Sequence, residues 1–473
     1  MKASFAAALT ALCIMLGSAS ASADVLVDNV NGVTVGKDGR VETFAAILIG
    51  NDGRITEVFQ RKDKRPAKVA YRLDGKGRTM IPGLIDSHLR VMDLGFALLK
   101  AKAGFKGTPT GDPRPEDRDL AFLAAQEALL AAGITTAVDM GTTIEDWQTY
   151  RRAGDTGALR MRIVVYAGSA RDMALIGGPR PTPWLYEDRL RMNGLALAID
   201  GPLAAREAWL KAPYADAPGN SGTPRVSAIQ LRNLMSRGAI DGFQVAVRAH
   251  GDAAVSGVLD AIEELAQTYN GDRRWRIEAL DLIDPADLAR LAQHGIVASL
   301  QPERLVGDPA MAVTRLGPTR AASLQPWRSI AQQRVTLAFG TGLDAQTPRP
   351  FAAMATAITR GGADVAATGE LQSSESLSRE QAFSALTTGA AHAIFAEGRL
   401  GRIAKGARAD FLLVERDPML ASPDTLRATQ PFETFVNGVK VHGGLAPARR
   451  VMDGPADSGS GTGKAAIDSY RDR

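Results

Sequence analysis

Eight short apolar runs, separated by stretches of helical pattern, restrict the fold of this chain more than any other feature. They cover residues 80–88, 134–140, 162–167, 194–200, 243–249, 275–280, 296–301 and 335–339, with helical patterns between most of them, as at 117–132 and 253–266. Strands buried on both faces and joined by helices read this way, because a parallel sheet hides both surfaces. Eight of them predict an α/β fold, a (β/α)8 TIM-type barrel over residues 80–400. Any chemistry then belongs at the C-terminal strand ends.

The flanks read differently. Ala46-Ile47-Leu48-Ile49 and Arg54-Ile55-Thr56-Glu57-Val58 bracket the turn Asn51-Asp52-Gly53, and Thr434-Phe435-Val436 and Val439-Lys440-Val441 bracket Asn437-Gly438. Such turns between alternating apolar residues mark β-hairpins. Ala409-Asp410-Phe411-Leu412-Leu413-Val414 reads as a further strand. Neither cluster can hold a core alone, so residues 24–79 and 401–447 are expected to pack together as one small composite β-sandwich. Residues 448–473, dominated by small and polar types, are expected to be a disordered tail.

Residues 1–23 carry the marks of a signal peptide: Lys2, an apolar stretch, then Ala21-Ser22-Ala23 as a small-x-small cleavage site. The apolar stretch is shorter than a membrane span needs, and bulky Leu12 before Cys13 argues against lipid attachment. The protein is therefore expected to be exported, into the periplasm, after cleavage near Ala23, with no membrane span in the mature chain. A formal charge of +4 over 473 residues is too dilute for a nucleic-acid footprint. Cys13 is the only cysteine, which excludes a disulfide framework and a multi-thiolate zinc site; five histidines suffice for one metal centre if they converge.

Ile81-Pro82-Gly83-Leu84-Ile85-Asp86-Ser87-His88 resembles the first barrel strand of the amidohydrolase superfamily. Ile199-Asp200-Gly201, Val245-Ala246-Val247, Gly251-Asp252, Arg276-Ile277-Glu278, Ser299-Leu300-Gln301-Pro302, Leu316-Gly317-Pro318-Thr319-Arg320, Ala338-Phe339-Gly340 and Gly401-Arg402-Ile403 follow in order. Together they resemble the branch that includes N-substituted formamide deformylase. The resemblance implies a barrel with a composite β-sandwich, and hydrolysis of non-peptide C–N bonds by a metal-activated water. It also implies ligands on strand 1 (His-x-His), strand 4 (a carbamylated Lys or a substitute for it), strands 5 and 6 (one His each) and strand 8 (an Asp).

This chain departs from that pattern almost everywhere. Of the ligand positions His88, Arg90, Ala196, Arg248, Ala279 and Gly342, only His88 bears a ligand-competent side chain, and Arg304 replaces a further family His. Arginine has no lone pair for a metal and repels one by charge. No metal cofactor is therefore expected.

Three readings follow. The first is a pseudo-amidohydrolase that binds a small ligand, or serves a partner protein. Arg90, Arg248 and Arg304 would then either hold an anion or be neutralised by Asp86, Asp200, Glu278 or Asp344 as a salt-bridged plug. The second is an active hydrolase with a displaced site for one divalent ion such as zinc, at His88, His250 and Asp344; Glu278 is a less favoured fourth ligand because its neighbour Ala279 holds the ligand phase. The third is metal-free chemistry by His88 or His250 with a carboxylate. Asp139, Asp200 and Asp252 are expected to shape strand-end loops or pair with arginine, and His294, His392 and His442 to be structural. The loops at 95–115 and 171–184 are expected to line the pocket.

Overall fold

The computed structural model describes residues 24–102, 113–306, 309–342, 347–361 and 373–444. Eight parallel strands form one sheet in sequential order: β1 (Leu84–Leu89), β2 (Ile134–Thr142), β3 (Arg162–Ala167), β4 (Leu190–Ala198), β5 (Gln244–Ala249), β6 (Arg276–Ala279), β7 (Val297–Leu300) and β8 (Thr336–Phe339). Helices such as Pro115–Ala131 and Asp252–Ala266 lie between them. The sheet curls until its two ends meet, where the Gly342 N–H donates to the His88 carbonyl at 2.8 Å. This is the barrel that the eight runs predicted.

Its interior follows the period of two. Ile85, Val138, Met140, Val164, Tyr166, Ala246, Val297 and Ala338 share one inward-facing cluster, while Ile163, Val165, Val245, Val247, Ile277 and Ala298 pack in clusters outside it. Gly340 is required where β8 meets β1, since a Cβ there would lie 2.5 Å from the His88 nitrogen. Gly340→Val is therefore expected to cost roughly 1–3 kcal/mol by overpacking. Urea unfolding checks this, and a wild-type midpoint would refute it.

Two strand expectations need correction. The run at 80–88 is two strands: Thr79–Pro82 joins the sandwich, and the barrel strand starts after Gly83, whose Cβ would strike Thr135 at 2.3 Å. A continuous apolar stretch concealed this change of sheet. β4 starts at Leu190 rather than Gly194. Arg191 and Asn193 give its first half a loop-like polarity, although residues 190–192 pair with 163–165.

The sandwich is built from both flanks. Its six-stranded sheet runs in the order Val439–His442, Pro431–Val436, Phe411–Val414, Thr79–Pro82, Asn31–Val35, Val41–Phe44. The four-stranded sheet contains Ile55–Phe59, Ala46–Ile49, Val25–Asp28 and Tyr71–Asp74. Both expected hairpins are present as antiparallel pairs, and the second turns through Asn437 and Gly438, both at positive φ. Phe411 stacks on Phe435 at 4.3 Å, within a core shared by Val27, Ile47, Met80 and Leu413.

Buried ion pairs join sandwich to barrel, among them Arg408–Asp188 at 2.7 Å and Arg162–Asp410. Arg162, on the first residue of β3, is fully buried and donates to both Asp410 carboxylate oxygens at 2.6 and 2.8 Å and to Asn437 Oδ1 at 2.5 Å. Asp410 also accepts the Asn437 N–H at 2.9 Å.

Candidate functional site

A polar ladder runs through the barrel to its C-terminal mouth. Low on the axis, Asn193 donates to the Tyr166 hydroxyl and to Gln244, and the Arg276 guanidinium lies 5.1 Å over the Tyr166 ring. Arg276 Nε donates to Glu278 Oε1 at 2.7 Å, and its terminal nitrogen to the Ser87 carbonyl at 2.7 Å. Glu278 Oε2 lies 2.6 Å from His88 Nδ1. All three side chains are buried.

A charge so placed persists only if its partners outweigh lost hydration. Burial raises the Glu278 carboxyl, but Arg276 and His88 outweigh it and hold the group at about 2. Burial lowers the His88 imidazole, against the pull of Glu278. The consistent state is a Glu278 carboxylate accepting a hydrogen bond from the Nδ1–H of a neutral His88.

The second buried histidine, His250, is held separately. Its Nδ1 lies 2.6 Å from Asp281 Oδ2, while Gln325 donates to the other Asp281 oxygen at 3.2 Å. Burial raises Asp281, but His250 first and then Arg304 outweigh it, leaving the carboxyl at about 2. Asp200 accepts the backbone N–H groups of His250, Gly251 and Trp209, each at 2.9 Å, so it shapes the loop after β5. Asp139 does the same after β1, accepting from Val91 N–H, Thr142 and Tyr150, and Asp252 accepts the Lys211 N–H.

These carboxyls set the acid limb of stability. The ordinary values of Glu278 and Asp281 are 4.5 and 3.8, above their folded values, so the unfolded chain binds more protons in this range. Their contribution is complete above about pH 4.5 and lost as pH falls towards about 2. Asp86 acts oppositely: burial holds it at about 6 against its Thr341 and His88 donors, so its contribution falls as pH rises from 3.8 through about 6. Glu278→Gln is expected to flatten the urea midpoint's dependence on pH below 4.5; an unchanged limb would contradict the pairing.

The arginines are distributed otherwise than the salt-bridged plug requires. Arg248, in phase with inward-facing Gln244 and Ala246, has a buried Nε without a hydrogen-bond partner, and it forms no ion pair among the described residues. Burial disfavours its charged form, as do Arg225, Arg304 and Arg90, with Asp200 opposing. Arg304 lies over Gly342, whose Cβ would sit 3.5 Å from Arg304 Cδ. Arg90 sits 3.5 Å from Asp93 on the following helix. Asp86, Asp200 and Glu278 neutralise none of the three through a direct ion pair, because each is engaged elsewhere. Asp344 lies outside the described residues.

Sequence reasoning overlooked Arg276, which forms a buried pair on the barrel axis, along with Asp281, Tyr166 and Gln244. It also misjudged Glu278, which faces inward beside His88. Two charged residues at alternate positions of one apolar strand, Arg276 and Glu278, were the available signal.

Do these residues suit a metal ion? Ala196 packs against the inward-facing cluster, Ala279 and Gly342 have no donor atom and stand at φ 77° and 103°, and His88 is turned to Glu278. Arg90 and Arg248 add positive charge beside it. Among the described residues, no three His, Cys, Asp or Glu side chains converge on a possible ion position. The family's ligand set does not fit a metal here.

His294 lies 3.5 Å from Glu263, and His442 ends the Val439–His442 strand. His392 lines a cleft of about 420 Å³ with Lys37 and Arg402, beside the first residue of β8 and so away from the mouth. Of the expected pocket loops, Val91–Ala101 and Ala170–Gly177 are helices, and residues 103–112 lie outside the described part.

A nearly closed parallel barrel with polar side chains gathered at its C-terminal mouth defines the TIM-barrel class. Within that class the chain belongs to the amidohydrolase family, which matches residues 91–442. Protein LONG AFTER FAR-RED 3 of Arabidopsis thaliana is 30% identical over 317 residues, 63% of this chain and 53% of that protein. The N-substituted formamide deformylase of Arthrobacter pascens is 25% identical over 321 residues, 66% of this chain and 57% of that protein. This chain spans about half the length of the curated relatives it matches. A metal-dependent hydrolase from Pyrococcus furiosus shares the fold, with a TM-score of 0.72 at 22% identity, over 84% of this chain and 100% of that one.

Proposed function

We propose that this amidohydrolase-family chain has lost metal-dependent C–N hydrolysis and binds a small anionic ligand at the barrel mouth. The observation that carries this reading is Arg248: a guanidinium at the family's strand-5 ligand position, with a buried and unpartnered Nε. A half-buried guanidinium without a direct ion pair is unfavourable, and a carboxylate or phosphate offsets that cost through the bidentate geometry guanidinium favours. Arg90 and Arg304 extend the positive field at the same mouth. Nothing in the reading requires a nucleic acid.

Metal content of untagged protein tests the loss of hydrolysis. Well below one equivalent is expected, unchanged in His88→Ala. Stoichiometric zinc that disappears in His88→Ala would sink the proposal and favour a displaced site at His88, His250 and Asp344. One observation lends that second reading support: both histidines are held through Nδ1 by buried carboxylates, as ligating imidazoles commonly are.

We also read the chain as exported, from the signal-peptide pattern of residues 1–23. The intact mass of periplasmic protein is expected to correspond to a start at Asp24, and retention of Met1 would refute cleavage. Among the described residues, no helix is long and apolar enough to cross a membrane.

A further inference from the structure

We infer that the cleft at the N-terminal end of β8 is a second binding site, for a small polyhydroxylated monocarboxylate of the aldonic acid kind. It is separate from the mouth and does not depend on the anion-binding reading.

Three parts of the chain meet at this cleft. The sandwich contributes the turn at 36–39, the helices Arg379–Ala385 and Thr388–Ala393 contribute Ser384 and Thr388, and β8 contributes its first residues, Thr336 and Leu337. Gly389 lets the second helix lie against β8, since a Cβ there would sit 2.3 Å from the Leu337 carbonyl oxygen. The volume of about 420 Å³ falls within the roughly 300–1,000 Å³ of small-molecule sites.

One lining group asks for an anion. Arg402 has a buried Nε without a hydrogen-bond partner, and it forms no ion pair among the described residues. A buried donor left unmade is costly, and a carboxylate suits it, because its two oxygens accept parallel N–H groups from one edge of a guanidinium. Lys37, exposed in the sandwich turn, adds charge to the same cleft without a directional fork.

The neutral groups ask for hydroxyls. The Ser384 and Thr388 hydroxyls lie 2.8 Å apart, so one donates to the other and the accepting one keeps its own proton to give. Thr336 and Gln381 add further neutral donors and acceptors to the lining. Burial, and then Arg274, lower the His392 imidazole against the pull of Glu397, so this ring too is uncharged near neutral pH. Hydroxyls on a ligand both donate and accept, and match such a surface.

The acidic groups of the lining limit the ligand to one negative charge. Glu397 is held by Arg274 through both oxygens, at 3.0 and 2.7 Å. Glu380, exposed at the rim, stays a carboxylate, since its own N–H and then Ser378 hold it below its ordinary value. That charge repels a second negative group, so a monocarboxylate fits better than a phosphate ester, which carries about 1.5–2 charges at pH 7.

Calorimetry of the full chain at neutral pH tests this with D-gluconate, D-glucose, acetate and glucose 6-phosphate. Gluconate is expected to bind at least about tenfold tighter than each of the others, the scale of one charge-assisted pair. Arg402→Met should bring gluconate down to the glucose level. Arg402→Lys, which keeps the charge and loses the fork, should lie between and guards against a folding defect in Arg402→Met. Thr388→Val should weaken gluconate and leave acetate unchanged.

Gluconate affinity that survives in Arg402→Met, or is lost in Arg248→Met instead, would overturn the cleft as its site and leave the reading of the mouth standing. Glucose or acetate as tight as gluconate would overturn the ligand class, and glucose 6-phosphate as tight would overturn the limit of one charge. No binding of any probe to folded wild-type protein would overturn the inference outright.

Discussion

Arg276→Ala is expected to lower the unfolding free energy by roughly 3–5 kcal/mol, because it strands Glu278 as an uncompensated buried charge. Arg276 and Glu278 are buried to 0% and 1% exposure, so water cannot take over the lost contact. The Ser87 carbonyl loses a donor as well. Urea unfolding followed by far-UV circular dichroism measures the change.

The paired substitution Arg276→Met with Glu278→Leu separates charge from packing. It removes both ions together, so it should cost much less than Arg276→Ala. A loss below about 1 kcal/mol for Arg276→Ala itself would place the pair in the range of solvated surface bridges and contradict its burial.

Asp410→Ala should be comparably damaging, at roughly 3–5 kcal/mol, for the same reason applied to a different joint. Arg162 would remain fully buried with its bidentate partner gone, and the Asn437 N–H would lose its acceptor. Asp410 belongs to the sandwich and Arg162 to β3, so the substitution also weakens the joint, which Arg408–Asp188 still bridges. The expected signature is a lower midpoint together with early exposure of the 411–436 strands in hydrogen exchange. Wild-type exchange there, at any midpoint, would show that the joint does not depend on the Arg162–Asp410 pair.

Much of the architecture is visible in local pattern. A run such as Arg162–Ala167 reads as a buried strand because all of its residues are hidden in the sheet, and Asn437-Gly438 reads as a hairpin because the turn needs positive φ at both positions. It is equally plain that Ala196, Ala279 and Gly342 carry no side chain able to bind an ion.

The meeting of side chains at the mouth is not local. β1 changes register against β2 between Asp86 and Leu89, so the phase in which His88 faces Glu278 cannot be counted along the strand. Glu278, and not its neighbour Ala279, is the residue directed at His88.

Residue type and spacing therefore specified a barrel and a sandwich drawn from both flanks. Curling of the sheet settled which charges are paired: Glu278 reaches His88 across 190 positions, Asp410 reaches Arg162 across 248, and Arg248 reaches no carboxylate among the described residues. The physical reason is range. Strand and turn formation depend on neighbours a few residues apart, whereas the burial of a charge beside its partner exists only once distant strand ends are brought to one mouth.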